Sequence, residues 1–121
     1  MDVLGPAAFD GPRLQRPGTW VVDFSAAWCP FCDEFLPRFA SLGKDGGFAL
    51  AIGDLTDVES ALWDVFEVRV TPTMIAFRDG IPVFRRDGRL GEGLDEGDLQ
   101  ALRAALGSSG EKAVPAGRDP P

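Results

Sequence analysis

The alternation of strand-like and helix-like segments is the feature that most constrains how this chain folds. The segment TWVVDFSA, residues 19–26, is β-branched, aromatic and nearly apolar, which is typical of a strand buried on both faces. A second run of this kind, FALAIGDL, follows at residues 48–55. Between them, apolar residues recur at the three- and four-residue spacing of a helix face. Two buried strands joined by a helix predict a sheet covered by helices.

The helix between these strands is predicted to run on from Cys32 in the segment CDEFLPRFASLG. Pro37 lies inside the pattern and is expected to kink the helix, while Gly43 is placed to end it. The spacing assigns four apolar side chains to the buried face: Phe35, Leu36, Phe39 and Leu42.

The second half of the chain contains two further helical patterns and a pair of strands. In VESALWDVFEV the residues predicted to face inward are Val58, Leu62, Val65 and Phe66, with Thr56 or Asp57 as the cap. The segments TMIAF and PVFRRDG are joined by the turn RDGIP and predict a hairpin. The last helix, DEGDLQALRAAL, has acidic residues in its first turn and Leu99, Leu102 and Leu106 on one face.

This order of elements predicts an α/β fold with a central mixed β-sheet and helices on both faces. With 121 residues in total, the chain has the size of one ordinary domain, assigned to residues 1–107. Residues 108–121 are rich in Gly, Ser and Pro and lack large apolar side chains, so we expect a disordered C-terminal tail.

Charge and hydropathy restrict the binding partners and the location that we expect for this protein. The chain has 12 Lys and Arg against 19 Asp and Glu, a formal net charge of −7, which disfavours binding to nucleic acid or to an anionic membrane. The start of the chain has no basic region followed by an apolar stretch, and no apolar run approaches the roughly 18 to 20 residues of a membrane helix. We therefore expect a cytoplasmic protein without a membrane segment.

The only two cysteines are Cys29 and Cys32, two residues apart at the turn from strand to helix. Cys29 falls at the helix N-terminus, where unpaired N–H groups and the helix dipole lower a thiol pKa. Cys29 is therefore predicted to be the attacking sulfur. Cys32, one turn on, is placed to resolve a mixed disulfide formed at Cys29. Pro30 suits the first helical turn because it has no N–H to leave unpaired.

The same pair is also compatible with a metal site or with inert packing. A zinc or iron–sulfur site normally takes four ligands, and this chain has no histidine and no third cysteine, so such a site requires a second chain. No metal is expected in one chain alone. Two inert buried cysteines are a further alternative, although a proline between them at a helix start argues against full burial.

Three segments resemble the thioredoxin superfamily, over about residues 2–106. VVDFSAAWCPFC is similar to its active-site strand and motif, VTPTMIAFRDG to its cis-proline segment, and GDLQALRAAL to its last helix. The resemblance implies a thioredoxin-like fold and a dithiol–disulfide oxidoreductase, with Cys29 nucleophilic and Cys32 resolving. It also implies a cis peptide bond between Thr71 and Pro72.

Each companion residue has a predicted role and an alternative. Asp23 on a buried strand is expected to have a raised pKa and to accept the proton of Cys32; the alternative is a hydrogen-bonded structural residue. Thr71 and Pro72 are expected to pair with an extended substrate segment; the alternative for Pro72 is a turn without a ligand role. The remaining substrate-binding candidates form an apolar surface beside the sulfurs, for which ordinary packing is the alternative: Trp28, Pro30 and Phe31, with Trp63 as a weaker member.

Two departures from the thioredoxin pattern matter. The dipeptide Pro-Phe between the cysteines is similar to that of glutaredoxins, in which an aromatic residue follows a proline. A glutaredoxin-like protein therefore remains an alternative, although no glutathione-binding pattern stands out. Where thioredoxins commonly have a lysine near the buried aspartate, the aligned stretch has Gly53.

The function predicted from the sequence is a monomeric protein-disulfide reductase without a cofactor. Its substrates would be protein disulfides, and a thioredoxin-reductase-like donor would restore the dithiol. No Lys or Arg lies between Ala26 and Leu36. We therefore expect a moderately lowered Cys29 pKa and a reducing dithiol.

Overall fold

The structure is a computed structural model that describes residues 1–107; the predicted tail, residues 108–121, lies outside the described residues. Its seven strands are β1 (Asp2–Leu4), β2 (Phe9–Asp10), β3 (Arg13–Leu14), β4 (Thr19–Ser25), β5 (Ala49–Asp54), β6 (Thr73–Arg78) and β7 (Ile81–Arg86). Its α-helices are α1 (Pro30–Ala40), α2 (Leu62–Val65) and α3 (Glu96–Leu106), and two 3₁₀ helices span Pro6–Ala8 and Ser41–Lys44.

Five strands form one mixed sheet in the order β1-β5-β4-β6-β7. The central strand β4 runs parallel to β5 and antiparallel to β6, and β6 and β7 form the hairpin predicted from the sequence. The apolar composition of β4 follows from this position, because a central strand is covered on both faces. Strands β2 and β3 form a separate two-stranded ribbon in a segment that the sequence marks poorly.

Helices cover both faces of the sheet, as predicted. One face of the sheet packs against α1 and α3 through a buried cluster that includes Val21, Phe35, Phe39, Leu99 and Leu102. The other face packs against α2 and the segment before β4 through a cluster that includes Val22, Phe24, Leu62, Phe66 and Phe77. Successive residues of β4 alternate between the two clusters, as the pleat requires.

Helix α1 begins at Pro30 and contains Pro37 within its length, but it ends at Ala40. Gly43 does not end it, because the chain continues into the 3₁₀ helix Ser41–Lys44. The prediction that Leu36 is buried is wrong, since this side chain is 41% exposed. The buried stripe is set by Phe35 and Phe39, and the next residue along a helix points about 100° away.

Helix α2 is shorter than predicted and contains only four residues. Leu62 and Phe66 are buried as expected, but Val58 is 69% and Val65 is 37% exposed, so those two assignments are wrong. Val58 lies in a turn before the helix, where the Asp57 carboxylate accepts the N–H of Glu59 at 2.9 Å, whereas Val65 is the last residue of the helix itself. This side-chain bond stabilises a turn in place of the first helical residues.

Candidate active site

Cys29 is the N-cap of α1, at the point where the chain turns away from β4. Its N–H donates to the carbonyl of Ala26 at 3.1 Å, and its carbonyl accepts the N–H groups of Cys32 at 3.1 Å and Asp33 at 3.2 Å. Both cysteines are thiols and both are buried, with 5% and 4% of their surface exposed. The expectation that Pro30 keeps the pair from full burial is therefore wrong, because the loop before Pro72 covers Cys29.

Thr71 supplies the closest polar contacts to the Cys29 sulfur. The Thr71 hydroxyl donates to Cys29 Sγ over 3.2 Å, and the Cys29 thiol donates to the Thr71 carbonyl over 3.7 Å. The first bond suits a thiolate, which accepts, and the second suits a thiol, which donates. The peptide bond between Thr71 and Pro72 is cis, as the resemblance implied. The hydroxyl contact was not predicted, because it depends on how the loop packs.

The two thiols differ in acidity. Burial acts to raise the pKa of Cys29, but hydrogen bonds from the Thr71 hydroxyl, the Cys32 thiol and the nearby backbone outweigh burial and lower it. Burial raises the pKa of Cys32 to about 12. Cys29 is therefore the sulfur that ionises first, while Cys32 retains its proton.

Asp23 lies at the centre of β4 on the sheet face that packs against α1 and α3. The residue is completely buried, and neither carboxylate oxygen has a hydrogen-bond partner within residues 1–107. Burial raises the pKa of Asp23 to about 7, as the sequence predicted. A carboxyl with this pKa exchanges a proton readily near neutral pH.

The neighbour of Asp23 on β5 is Ile52, and the sequence-based assignment of this place to Gly53 is wrong. The register pairs Asp23 with Ile52 and Phe24 with Gly53, and paired residues share a face. A Cβ atom at position 53 would collide with the Phe24 ring on the opposite face from Asp23. An apolar side chain therefore stands beside Asp23 where thioredoxins commonly have a lysine.

A cavity of about 300 Å³ connects Cys32 with the strand beside Asp23. We call it the Cys32 cavity. Its wall includes Cys32, Ile52, Asp54 and Thr56. Ile52 is the cross-strand partner of Asp23, so the cavity reaches the strand beside Asp23, although Asp23 itself does not line it. The cavity provides space for water beside Cys32 and Ile52.

Two tryptophans beside Cys29 form a stacked pair. The rings of Trp28 and Trp63 are 10° from parallel, with their centres 6.3 Å apart. The Trp28 indole N–H donates to the carbonyl of Thr56 at 2.9 Å, and that of Trp63 donates to the carbonyl of Asp57 at 3.1 Å. Two consecutive carbonyls of the loop after β5 therefore hold both rings.

A cleft of about 320 Å³ opens at Cys29. We call it the Cys29 cleft. Every predicted substrate-binding residue except Pro72 lines it. The lining residues are Trp28, Cys29, Pro30, Phe31, Trp63, Arg69, Val70, Thr71, Leu90 and Gly91. Sequence reasoning missed Arg69 and Leu90; the nearest signal was that Arg69 stands two residues before Thr71.

Metal-binding side chains do not cluster in this region. Within residues 1–107, no three His, Cys, Asp or Glu side chains are placed to hold a metal ion together. Over the same residues, no helix combines the length and the apolar composition needed to traverse a bilayer.

Comparisons with known proteins agree with the fold. A family model described as Thioredoxin matches residues 2–97. The chain is 35% identical over 75 residues to the thioredoxin of Mycolicibacterium smegmatis, covering 60% of this chain and 67% of that protein. It is also 35% identical over 75 residues to a protein disulfide-isomerase A6 homolog of Drosophila melanogaster, covering 61% of this chain and 17% of that protein.

Solved structures give the same fold. Chlamydomonas reinhardtii thioredoxin f2 superimposes with a TM-score of 0.68 at 22% identity, covering 85% of this chain and 93% of that one. Plasmodium falciparum thioredoxin superimposes with a TM-score of 0.70 at 20% identity, covering 88% and 99%. The chain spans less than a quarter of the length of the disulfide-isomerase A6 relatives that it matches.

Proposed function

The chain belongs to the thioredoxin family of thiol–disulfide oxidoreductases, and on this premise we propose that it reduces protein disulfides through Cys29 and Cys32. The observation that carries the proposal is the split acidity of the two thiols. The pKa of Cys29 at the helix start is lowered, while that of Cys32 is raised to about 12. Cys29 is therefore suited to attack the substrate disulfide, and Cys32 keeps its proton until the second exchange.

The reaction proceeds in two exchanges. The Cys29 thiolate attacks one sulfur of the substrate disulfide, forms a mixed disulfide and expels the other substrate sulfur as a thiolate, which takes up a proton. Cys32 then loses its proton and attacks Cys29 Sγ, which breaks the mixed disulfide and releases the second substrate thiol. Two electrons pass to the substrate, and the protein is left with a Cys29–Cys32 disulfide.

Asp23 is proposed to accept the Cys32 proton during the second exchange. Its pKa of about 7 lets it bind and release a proton at neutral pH, and water in the Cys32 cavity would carry the proton between the two groups. The absence of hydrogen bonds to the carboxylate within the described chain favours this role over the structural alternative.

The proposed direction is reduction. The Cys29 thiolate is stabilised by a hydroxyl, a thiol and backbone N–H groups, and no side-chain cation of residues 1–107 contributes. A dithiol whose thiolate lacks stabilisation by a neighbouring cation forms a comparatively stable disulfide and acts as a reductant.

We further propose a cytoplasmic location and a monomer that is re-reduced by a thioredoxin-reductase-like donor. A reducing compartment keeps such a dithiol supplied with electrons. Fractionation of the source cells tests the location, and sedimentation of the purified chain tests the monomer.

Trapping variants test the roles of the cysteines. Cys32→Ser is expected to remain covalently attached to substrate proteins, because the resolving thiol is missing. Cys29→Ser is expected to form no such adduct. Non-reducing gels of both variants, after incubation with oxidised insulin, give the comparison; equal trapping by both would contradict the assignment.

Two measurements separate the proposal from its alternatives. Freshly purified protein should contain no stoichiometric zinc or iron and should lack visible absorbance; a coloured, metal-bound dimer would favour the metal-binding alternative. Titration of tryptophan fluorescence against glutathione buffers should show a Cys29–Cys32 disulfide persisting in reducing mixtures. A dithiol that stays reduced in strongly oxidising mixtures would contradict the reductase direction.

A further inference from the structure

We infer that the Cys29 cleft selects protein disulfides in which an aromatic side chain and a carboxylate lie within about two residues of the attacked cysteine. This inference rests on the proposed function and names its substrate class. Three features of the cleft carry it: the paired indole rings of Trp28 and Trp63, the exposed Leu90, and the single charge of Arg69.

The indole pair is a preformed apolar surface. Both N–H groups are used by loop carbonyls, so the rings present carbon edges and π faces without a donor for a polar ligand. Trp28 is 54% exposed beside the attacking sulfur. Because the rings are already fixed, an aromatic side chain stacks on them with little loss of conformational entropy.

Leu90 extends this apolar surface from a separate part of the chain. It lies in the loop between β7 and α3 and is 88% exposed, the largest exposed fraction among the large apolar side chains of residues 1–107. The neighbouring loop residues Arg89 and Gly93 are bridged to each other, which holds the loop tip in place. An exposed leucine on a fixed loop beside a reactive cysteine gains stability only when a partner covers it.

Arg69 supplies charge complementarity. Apart from the Cys29 thiolate, it is the only charged group among the residues that line the cleft, and it forms no ion pair with a carboxylate of residues 1–107. Other arginines of the chain do form such pairs, including Arg89 and Arg103. A guanidinium at the edge of an apolar cleft attracts a substrate carboxylate and repels a substrate lysine.

Four matched peptide disulfides test the inference. Each peptide has one cysteine, is oxidised to a symmetric dimer, and has either Phe or Ala directly before the cysteine and either Asp or Lys directly after it. Single-turnover rates of reduction by the reduced full-length protein are measured by tryptophan fluorescence. For the wild type we expect a preference of roughly tenfold for Phe over Ala and of roughly fivefold for Asp over Lys at low salt, decreasing at high salt.

Two variants assign the preferences to residues, and two others serve as controls. Trp63→Leu should reduce the Phe preference to roughly twofold, whereas Trp20→Leu, at a remote tryptophan, should leave it unchanged. Arg69→Glu should invert the Asp preference, whereas Arg78→Glu should not. The readout is the ratio between peptides within one protein, which a general loss of activity does not alter. Arg69 is exposed, so its variant keeps the test available if Trp63→Leu fails to fold.

The outcomes separate this inference from the proposed function. If the wild type reduces bis(2-hydroxyethyl) disulfide but treats all four peptides alike, the substrate class is wrong and the reductase proposal stands. Preferences that survive both Trp63→Leu and Arg69→Glu would also overturn the inference. If the wild type reduces no disulfide at all, the proposed function itself fails.

Discussion

Asp23 and Asp98 are both buried aspartates, yet their surroundings are opposite. Asp98, 4% exposed, accepts bonds from the Arg89 guanidinium at 3.2 and 3.0 Å and from the N–H of Asp95 at 2.8 Å. Burial acts to raise the pKa of Asp98, but these bonds outweigh it and lower the pKa below its usual range. Asp23 has no partner among the described residues, and burial raises its pKa to about 7.

The difference follows from where each residue lies in the fold. Asp98 is in the first turn of α3, where it forms a reciprocal capping box with Asp95 and faces the positive end of the helix dipole. Asp23 is in the middle of the central strand, between Ile52 and Met74. Asp98 therefore stabilises the fold, whereas a buried carboxyl without partners destabilises it. This contrast is what favours a chemical role for Asp23.

Asp23→Asn is expected to give the largest change in stability. The native carboxyl holds its proton up to about pH 7, whereas the unfolded carboxyl releases it near pH 3.9. The free energy of unfolding of the wild type therefore decreases as pH rises from about 4 to 7, by roughly 1.4 kcal/mol per pH unit or about 4 kcal/mol in all. The variant has no titrating group and lacks this decrease.

Urea denaturation of the reduced proteins between pH 4 and pH 8 measures the difference. The advantage of Asp23→Asn over the wild type should increase across this range and level off above pH 7. Disulfide reduction by the variant at pH 7 should be slower, because Cys32 loses its proton acceptor. If the free energy of unfolding changed with pH equally in both proteins and the activity of the variant were unchanged, Asp23 would have only a structural role.

Asp98→Asn is expected to have a smaller effect of opposite sign. The loss of the capping bond and of the charged acceptor should lower the free energy of unfolding at pH 7 by about 2 kcal/mol. Arg89 is 43% exposed, so its ion pair adds little to this figure. Because the native pKa is lowered, the stabilisation by Asp98 is fully present above about pH 4 and is lost as pH falls through the native pKa. Urea denaturation should therefore show that Asp98→Asn is less stable than the wild type by a smaller amount at pH 3 than at pH 7. An equal difference in the free energy of unfolding at both pH values would mean that the charge of Asp98 plays no part.

Elements whose signals are local could be predicted from the sequence. The apolar composition of β4 and β5 and the turn before β7 identified the sheet, and the acidic first turn of α3 identified that helix. Helix α2 was predicted too long because the spacing of Val58 and Val65 fits a helix, while the Asp57 turn that interrupts it depends on a single side-chain bond. The spacing of apolar residues alone does not distinguish a long helix from a turn followed by a short helix.

In the candidate site, too, some features could be predicted from the sequence and others could not. The cysteine pair, the buried Asp23 and the cis bond before Pro72 could be inferred from spacing and resemblance. The Thr71 hydroxyl contact and the stacking of Trp28 on Trp63 could not, since each joins segments at least 35 residues apart in the chain. The error at Gly53 is an error of one residue in strand register, which moves a side chain to the other face of a sheet.

Ile52→Lys tests whether the apolar neighbour on β5 is the reason that the pKa of Asp23 is raised while that of Asp98 is lowered. Ile52 pairs with Asp23 and lines the Cys32 cavity, so the introduced ammonium has a route to water while it lies beside the carboxyl. An opposite charge at this distance should lower the pKa of Asp23 by about one unit, equivalent to about 1.4 kcal/mol. The NMR titration of the Asp23 carboxyl carbon measures this pKa directly.

Leu50→Lys is the matched control, because Leu50 projects from the same face of β5 but pairs with Val21. Its introduced charge would be displaced by roughly 7 Å along the strand, which places it about 3 Å farther from the carboxyl than a charge at position 52, and should lower the pKa less. If Ile52→Lys makes Asp23 resemble Asp98, the steep decrease in stability between pH 4 and pH 7 should become shallower in that variant only. An Asp23 pKa that stays near 7 in both variants would show that burial outweighs a neighbouring cation, and that the partners of Asp98 owe their effect to their hydrogen bonds.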